Sequence, residues 1–414
     1  SDLAASTTAD YTEFAEAVDE EVTNNPPTRD LLQCPSCAHN NPMTADYCVK
    51  CGSPLAVVTR VYKIDPAEAQ ERVDWLVYGI ETKMAGRDAD LKRIEASFRN
   101  VVDGGTAALM VVTGGHGIGK SRLAREFNGQ IDSLFPGSLM VTGRCRESDH
   151  LPYAPIARLV RKRFYIPEVE IPRLARQRLL DAVGSILGAA NATEFAHLVG
   201  HLIGLPFPDA TNAPAAESGE EAPSERIEER AIAALAKLLE ADAARNPLMF
   251  VVEDADYASE ETLKLIARLV SQLRSSKLMF LLLGSPDFVQ RHPEILEGAD
   301  YLELAPLADE DLRAFLADVL QRVERIPEEL HELVCQRALG NPMIVEEIVR
   351  LLIGEGVIDT RPQPWVLHLD KLASVELPSG FADVAARGFD PAIDMAERDH
   401  ESIYAAAVKP GGAA

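Results

Sequence analysis

Three groups of residues in this sequence could do chemistry by type and spacing. The first is Gly114-Gly115-His116-Gly117-Ile118-Gly119-Lys120-Ser121, which fits G-x-x-x-x-G-K-[ST]. Its glycines let the main chain wrap an anion with N–H groups turned inward. Lys120 is spaced to reach the β- and γ-phosphates of a nucleoside triphosphate, and the Ser121 hydroxyl to hold Mg²⁺. Arg122 follows on the same turn and joins this cofactor-binding set. The second group is Leu248-Met249-Phe250-Val251-Val252-Glu253-Asp254, an apolar run ending in two carboxylates. A phosphate loop needs such a strand, because one acid completes the magnesium shell and another orients the attacking water. With Lys120, Glu253 and Asp254 are the candidate catalytic residues; which carboxylate takes which task is left open by sequence.

The third group is four of the six cysteines, set as Cys34-Pro35-Ser36-Cys37 and Cys48-Val49-Lys50-Cys51. Two C-x-x-C knuckles can close a tetrahedral four-thiolate zinc site. So short a segment buries little core, and metal binding would supply its folding energy. A redox C-x-x-C needs a βαβ context that is missing, and disulfides do not suit the cytoplasmic setting expected here. Four protein ligands leave no open position, so the expected zinc is structural. Cys145 and Cys335 stand alone and read as ordinary half-buried thiols.

The chain has 414 residues, too many for one small core, with 47% hydrophobic and 26% charged residues in the ordinary globular range. Its formal net charge of −24 argues against general gripping of nucleic acid. One basic cluster, Arg158, Arg161, Lys162 and Arg163, reads as a solvated helix face. No apolar run is long enough to span a bilayer, and no basic-then-apolar leader is visible, so a cytoplasmic protein is expected.

These groups need elements to hold them. Leu91, Ile94, Phe98 and Val101 recur at helical spacing from Asp88, and Gly104-Gly105 ends that helix. Ala108–Thr113 is a short apolar run of the kind buried on both faces of a sheet. Four more such runs follow, at Ser138–Thr142, Leu248–Val252, Leu278–Leu283 and Tyr301–Leu304. The helical stretches between them make a βα alternation, so a parallel five-stranded α/β sheet flanked by helices is predicted. A long helical insert is expected over 156–204, a polar loop over 208–225, and helices from Asp309 to about Gly356. The predicted divisions are a leader at 1–30, a zinc ribbon at 31–56, a linker at 57–83, a P-loop domain at 84–305, a helical lid at 306–360, and a partial winged-helix-like or irregular segment at 361–414.

Taken together, these residues resemble the AAA-like ATPase module of the STAND class, found in bacterial multidomain regulators that also carry zinc ribbons and nucleotide cyclase domains. Cys34–Leu55 resembles the ribbon form C-P-x-C…N-P…C-x-x-C-G-x-x-L. Met84-Ala85-Gly86-Arg87-Asp88-Ala89-Asp90-Leu91 resembles the segment G-R-E-x-E-L that lies near adenine, which implies nucleotide roles for Gly86 and Arg87. Gly143-Arg144-Cys145 followed by Pro152-Tyr153-Ala154-Pro155 resembles the second-strand signature. Glu253-Asp254-Ala255-Asp256-Tyr257-Ala258 stands where the group has E-D-x-H-W-A. Gly340-Asn341-Pro342, with Glu346-Glu347 beyond it, resembles the G-N-P segment of the lid, whose proline approaches the base. Between Cys51 and Thr59 there is no room for a cyclase domain.

The departures bear on rate. Gly284-Ser285-Pro286-Asp287 puts serine where the class has an arginine that senses the γ-phosphate, and Asp256 and Tyr257 replace His and Trp. Both changes imply nucleotide binding with slow hydrolysis. Arg87, Arg144 or an arginine of a neighbouring subunit are the groups placed to compensate. The resemblance therefore implies a signalling switch that binds ATP or ADP with Mg²⁺ and changes its contacts with protein partners or with copies of itself. Two alternatives stand beside it: a P-loop kinase of a small molecule, with the insert as substrate pocket, and a DNA-associated AAA-type ATPase.

Overall fold

The computed structural model describes residues 82–378 except 150, 169 and 209–222, together with Ile80, Asp383, Val384 and the backbone of 31–33 and 40–42. The chain divides into two units, one ending at Val73 and one beginning at Asp74. Of the first, Leu31–Gln33 and Asn40–Pro42 pair as short antiparallel strands. Cys34, Cys37, Cys48 and Cys51 lie outside the described residues, as does the final stretch from 385 onward.

The second unit is built round five parallel strands: β1 (Ala108–Thr113), β2 (Leu139–Arg144), β3 (Leu248–Glu253), β4 (Leu278–Gly284) and β5 (Asp300–Glu303). Their order is β2-β3-β4-β1-β5. The three inner strands are apolar along nearly their whole length because helices cover both faces of a parallel sheet. β1 and β4 are in register from Ala108 beside Met279 to Thr113 beside Gly284. β4 also separates β1 from β3, so the loop after β1 and the acids after β3 face each other across one intervening strand.

One face of the sheet is packed by α1 (Asp88–Gly104) and α2 (Lys120–Leu134), with Ile94, Phe98, Val101, Leu123, Phe127 and Ile131 buried against Met110, Val112 and Leu281. Phe98 meets Phe127 and Phe135 edge-on, at ring-centroid distances of 6.1 and 5.0 Å. The other face is packed by the insert, which forms α3 (Ala154–Arg163), α4 (Pro172–Leu187) and α5 (Ala189–Leu202), together with α6 (Pro223–Ala243) and α7 (Glu260–Gln272). A short helix, α8 (Pro286–Arg291), follows β4.

In the basic cluster on α3, Lys162 is exposed, but the three arginines are taken up inside the fold. Arg158 is buried, ion-paired to Asp149 and donating to the Arg144 carbonyl. Arg163 forks onto Asp242 at 2.7 and 2.6 Å, and Arg161 is directed to the Ile203 carbonyl. Buried guanidinium groups must be paired, and here internal acids and carbonyls take them up. The thiol of Cys145 is also buried, and burial pushes its pKa up to about 12, as expected of an inert thiol.

Three further helices, α9 (Asp309–Val319), α10 (Glu328–Ala338) and α11 (Pro342–Gly354), enclose a core of their own with Leu312, Leu316, Val334, Ile344, Ile348 and Trp365. A two-residue hairpin, Ile358–Asp359 with Val366–Leu367, closes this C-terminal subdomain.

Candidate functional site

The loop from Gly114 to Gly119 leaves β1 and runs directly into α2, whose first helical residue is Lys120. Gly117 and Gly119 hold φ of 73° and 104°, values that side chains disfavour, so the bend depends on glycine there. The Gly119 cap makes no side-chain hydrogen bond, and the first N–H groups of a helix have no acceptor within it. A Cβ built at Gly115 or Gly119 would meet nothing within 4 Å, so there is open space beside these two residues. Lys120 Nζ donates to the carbonyls of Gly114, at 2.9 Å, and Gly115, at 3.1 Å. Burial pushes its pKa below the ordinary lysine value, with Asp256 and Asp254 pulling it back. Open space, donor N–H groups and a partly buried ammonium are the donor set that a polyphosphate needs, so the residues present fit such a group.

Other segments brace this loop. Arg87 is buried, and its guanidinium donates to the Ile118 carbonyl at 3.1 Å and pairs with Asp90 at 3.2 Å. It therefore braces the loop, and it also lines the cavity beside it. From α11, Asn341 Nδ2 donates to the His116 carbonyl at 2.8 Å, while its Oδ1 accepts from Met343 N–H and caps the helix. Gly117 lies so close to α11 that a Cβ there would come within 2.6 Å of Met343 Cβ. Burial and the neighbouring Lys120 push the His116 pKa down.

The loop, the segment before α1 and the C-terminal subdomain together line a cavity of about 270 Å³. His116, Gly117, Ile118, Gly119, Lys120, Ser121 and Arg122 form one wall, and Asp254 adds a carboxylate. Ser121 is thus in the cavity with Asp254. Met84, Ala85, Leu307, Phe315, Pro342 and Met343 add apolar surface to the lining, and Thr82, Lys83, Arg87 and Arg125 add polar groups. Gly86 is outside the lining; it turns the chain with φ of 65° against Asp311 of α9. Glu346 also faces the cavity, and burial pushes its carboxyl above the usual range, against the pull of Arg350, Arg122 and Arg125. Leu307, Phe315 and Met343 gave no sign of this role in sequence, since apolar residues at helical spacing look the same in a core and in a pocket wall; Arg125 gave none because a helix arginine reads as a solvated charge.

At the end of β3, Glu253 is nearly buried and Asp254 about half exposed. Asp254 takes a left-handed conformation, with φ of 52° and ψ of 46°, uncommon for any residue but glycine. Burial raises its pKa, while Arg144 draws it down. Across β4, the Ser285 hydroxyl and main-chain N–H both donate to Asp256, and the same hydroxyl caps α8 by accepting from Phe288 N–H at 3.2 Å. Arg291 closes on Asp256 from the far end of α8, at 3.4 Å. Two positions that depart from the class pattern therefore bond each other.

Among the described residues no three His, Cys, Asp or Glu side chains gather as a metal cage. Magnesium at such a site relies on one or two carboxylates or hydroxyls, with phosphates and water completing the shell. Among the described residues no helix is long and apolar enough to cross a membrane.

A glycine-rich loop between a buried parallel strand and the helix it opens, with an acid-ended strand two places along the sheet, defines a P-loop NTPase-like domain. Residues 83–282 match the AAA ATPase domain family, and ATP and Mg²⁺ are the cofactors expected of an AAA ATPase domain. No curated protein matches the sequence. Among solved structures, the Aeropyrum pernix Orc1 protein in complex with DNA is similar at 16% identity, covering 81% of this chain and 72% of that one with a TM-score of 0.39. Drosophila ORC bound to DNA is similar at 13% identity, covering 83% and 68% with a TM-score of 0.40. Likenesses this low do not bear on function.

Proposed function

We propose that this protein is an ATP-operated switch of the STAND type, in which nucleotide in the cavity changes how the C-terminal helices sit on the P-loop and thereby alters contacts with protein partners or with further copies. The observation that carries the reading is the junction of α11 with the loop: Asn341 on the His116 carbonyl and Met343 against Gly117. A ligand that rearranges the loop must disturb that junction, and a ligand that prefers one of its two states shifts the balance between them. On this reading the C-terminal helices are a lid over 306–360, the sheet domain spans 84–305, and Pro342, Met343 and Phe315 receive the base.

Lys120 and the N–H groups at the start of α2 would hold the phosphates, and Ser121 with Glu253 or Asp254 would hold magnesium. Bound Mg²⁺–ATP supplies a phosphoanhydride whose γ-phosphate can leave to water. The chain's part is to place that water beside Asp254 and to keep the leaving phosphate neutralised by Lys120. Serine stands at position 285, where the class has its sensor arginine, and bonds Asp256 instead, so the turnover proposed here is slow. The ribbon, proposed from the cysteine spacing alone, would hold structural zinc through Cys34, Cys37, Cys48 and Cys51 and serve as a docking module.

Hydrogen exchange on the full chain, with and without ATP–Mg²⁺, tests the switch. Changed protection at 114–121 and at 341–352 together is the expected result; protection confined to the loop would reduce the protein to a nucleotide binder with no coupled lid. Turnover measured with duplex DNA or a metabolite pool added separates the alternatives. Stimulation by DNA, or phosphate appearing on a metabolite, would replace the switch reading. The basic cluster of α3 offers DNA little, since its arginines are spent inside the fold.

A further inference from the structure

Several arginines stand near the acid end of the sheet, and most are committed away from the carboxylates of β3. Arg87 holds the Ile118 carbonyl, Arg158 is paired with Asp149 inside the fold, and Arg291 faces Asp256. Arg144 differs. Its Nε lies 3.2 Å from Asp254 Oδ2, and its terminal nitrogen lies 3.2 Å from Glu253 Oε2. Arg144 and Glu253 are direct register partners on β2 and β3, so the sheet itself sets this bridge. The guanidinium is about half exposed, on the solvent side of carboxylates that are less exposed than it is. These oxygens are hard ligands of the kind a divalent cation takes, and a carboxylate oxygen engaged by a guanidinium must give up that bond to coordinate a metal.

Resting on the reading of this end of the sheet as a magnesium site, we propose that Arg144 is a positioning residue that holds Glu253 and Asp254 together when metal is absent and competes with the divalent cation for their oxygens. Arg144 thereby sets the cation concentration at which the site loads. A device of this kind keeps two adjacent carboxylates from repelling one another in the unloaded protein, and it makes loading depend on magnesium and nucleotide arriving together, since phosphate oxygens supply the ligands that tip the competition.

Manganese tests this in the full chain without nucleotide, by electron paramagnetic resonance titration of free Mn²⁺. Arg144→Ala and Arg144→Gln should each bind Mn²⁺ about three- to tenfold more tightly than wild type, the scale of two partly exposed ion pairs. Arg144→Lys keeps the charge and should stay near wild type. The double variant Arg144→Gln with Glu253→Gln should lose the gain, which locates the ion at β3 and not at the cysteines. Unchanged Mn²⁺ affinity in Arg144→Gln, with circular dichroism and melting temperature like wild type, would overturn the proposal; a purely structural arginine would move the melting temperature and leave the ion alone. Should Arg144→Ala not fold, Arg144→Gln carries the test. ATP binding by wild type is measured in parallel. Its absence removes the nucleotide reading, while the manganese series still judges Arg144.

Discussion

The phosphate loop and the acidic end of β3 lie at the same edge of one sheet, yet they are made of different material. The loop is main chain: its shape comes from glycines at positive φ, and it is braced by Arg87 on the Ile118 carbonyl and Asn341 on the His116 carbonyl. The acidic end is side chains neutralising one another, with Arg144 across Glu253 and Asp254, and Arg291 and Ser285 on Asp256. Main-chain geometry held by two braces resists substitution of either one, whereas a network of paired side-chain charges can be retuned by single changes. Binding and turnover should therefore separate cleanly under mutation.

The largest effect should come from the loop's one functional side chain. Lys120→Ala should weaken ATP binding roughly a hundred- to ten-thousandfold, the loss expected for charge-assisted contacts to two phosphates. Isothermal titration with magnesium, and again with EDTA, reads it. Binding within about threefold of wild type would mean that the main chain alone holds the phosphates. Asp254→Asn should leave ATP affinity almost untouched and lower turnover about a hundredfold, the low end of general-base effects. An equal loss of both would join the two regions that the comparison divides.

Asn341→Ala addresses the brace that the C-terminal subdomain contributes. It removes a helix cap and the bond to the His116 carbonyl, so stability should fall by about 1 kcal/mol and ATP affinity by a few-fold. Thermal melts and titration on the same sample separate the two. A change in stability with no change in affinity would show that α11 rests on the loop without shaping it.

Much of this site can be read from the sequence, and the part that cannot has a physical cause. The three inner strands were visible as apolar runs because burial on both faces leaves no polar alternation to confuse them; β2 runs to Arg144, two residues past its apolar run, and the edge strand β5, mostly exposed, begins at Asp300, one residue before the run at Tyr301–Leu304. The loop was legible because glycine spacing and a following lysine state a backbone requirement directly. Strand order was not legible: nothing in Leu278–Gly284 says that it lies between β1 and β3. The fate of arginines was the least legible. Arg87 and Arg144 looked equivalent as stand-ins for a missing sensor, but one bonds the loop's Ile118 carbonyl and the other lies across the acids. A charged side chain long enough to reach many partners is placed by tertiary structure, not by its neighbours in sequence.

Ser285 supplies the smallest and most discriminating test. Read from sequence, it marks a missing sensor; in the fold it caps α8 and donates to Asp256. Ser285→Ala removes the cap and one bond to Asp256, so stability should drop by about 1 kcal/mol. Because the main-chain N–H of residue 285 still holds Asp256 at 2.9 Å, turnover should stay within about twofold of wild type. Tenfold slower turnover with unchanged melting would assign the hydroxyl a direct part in hydrolysis. The acidic end would then be a working network and not a set of charges at rest, and the separation between a rigid binding loop and a tunable acidic edge would have to be drawn one strand further along, between β4 and β1.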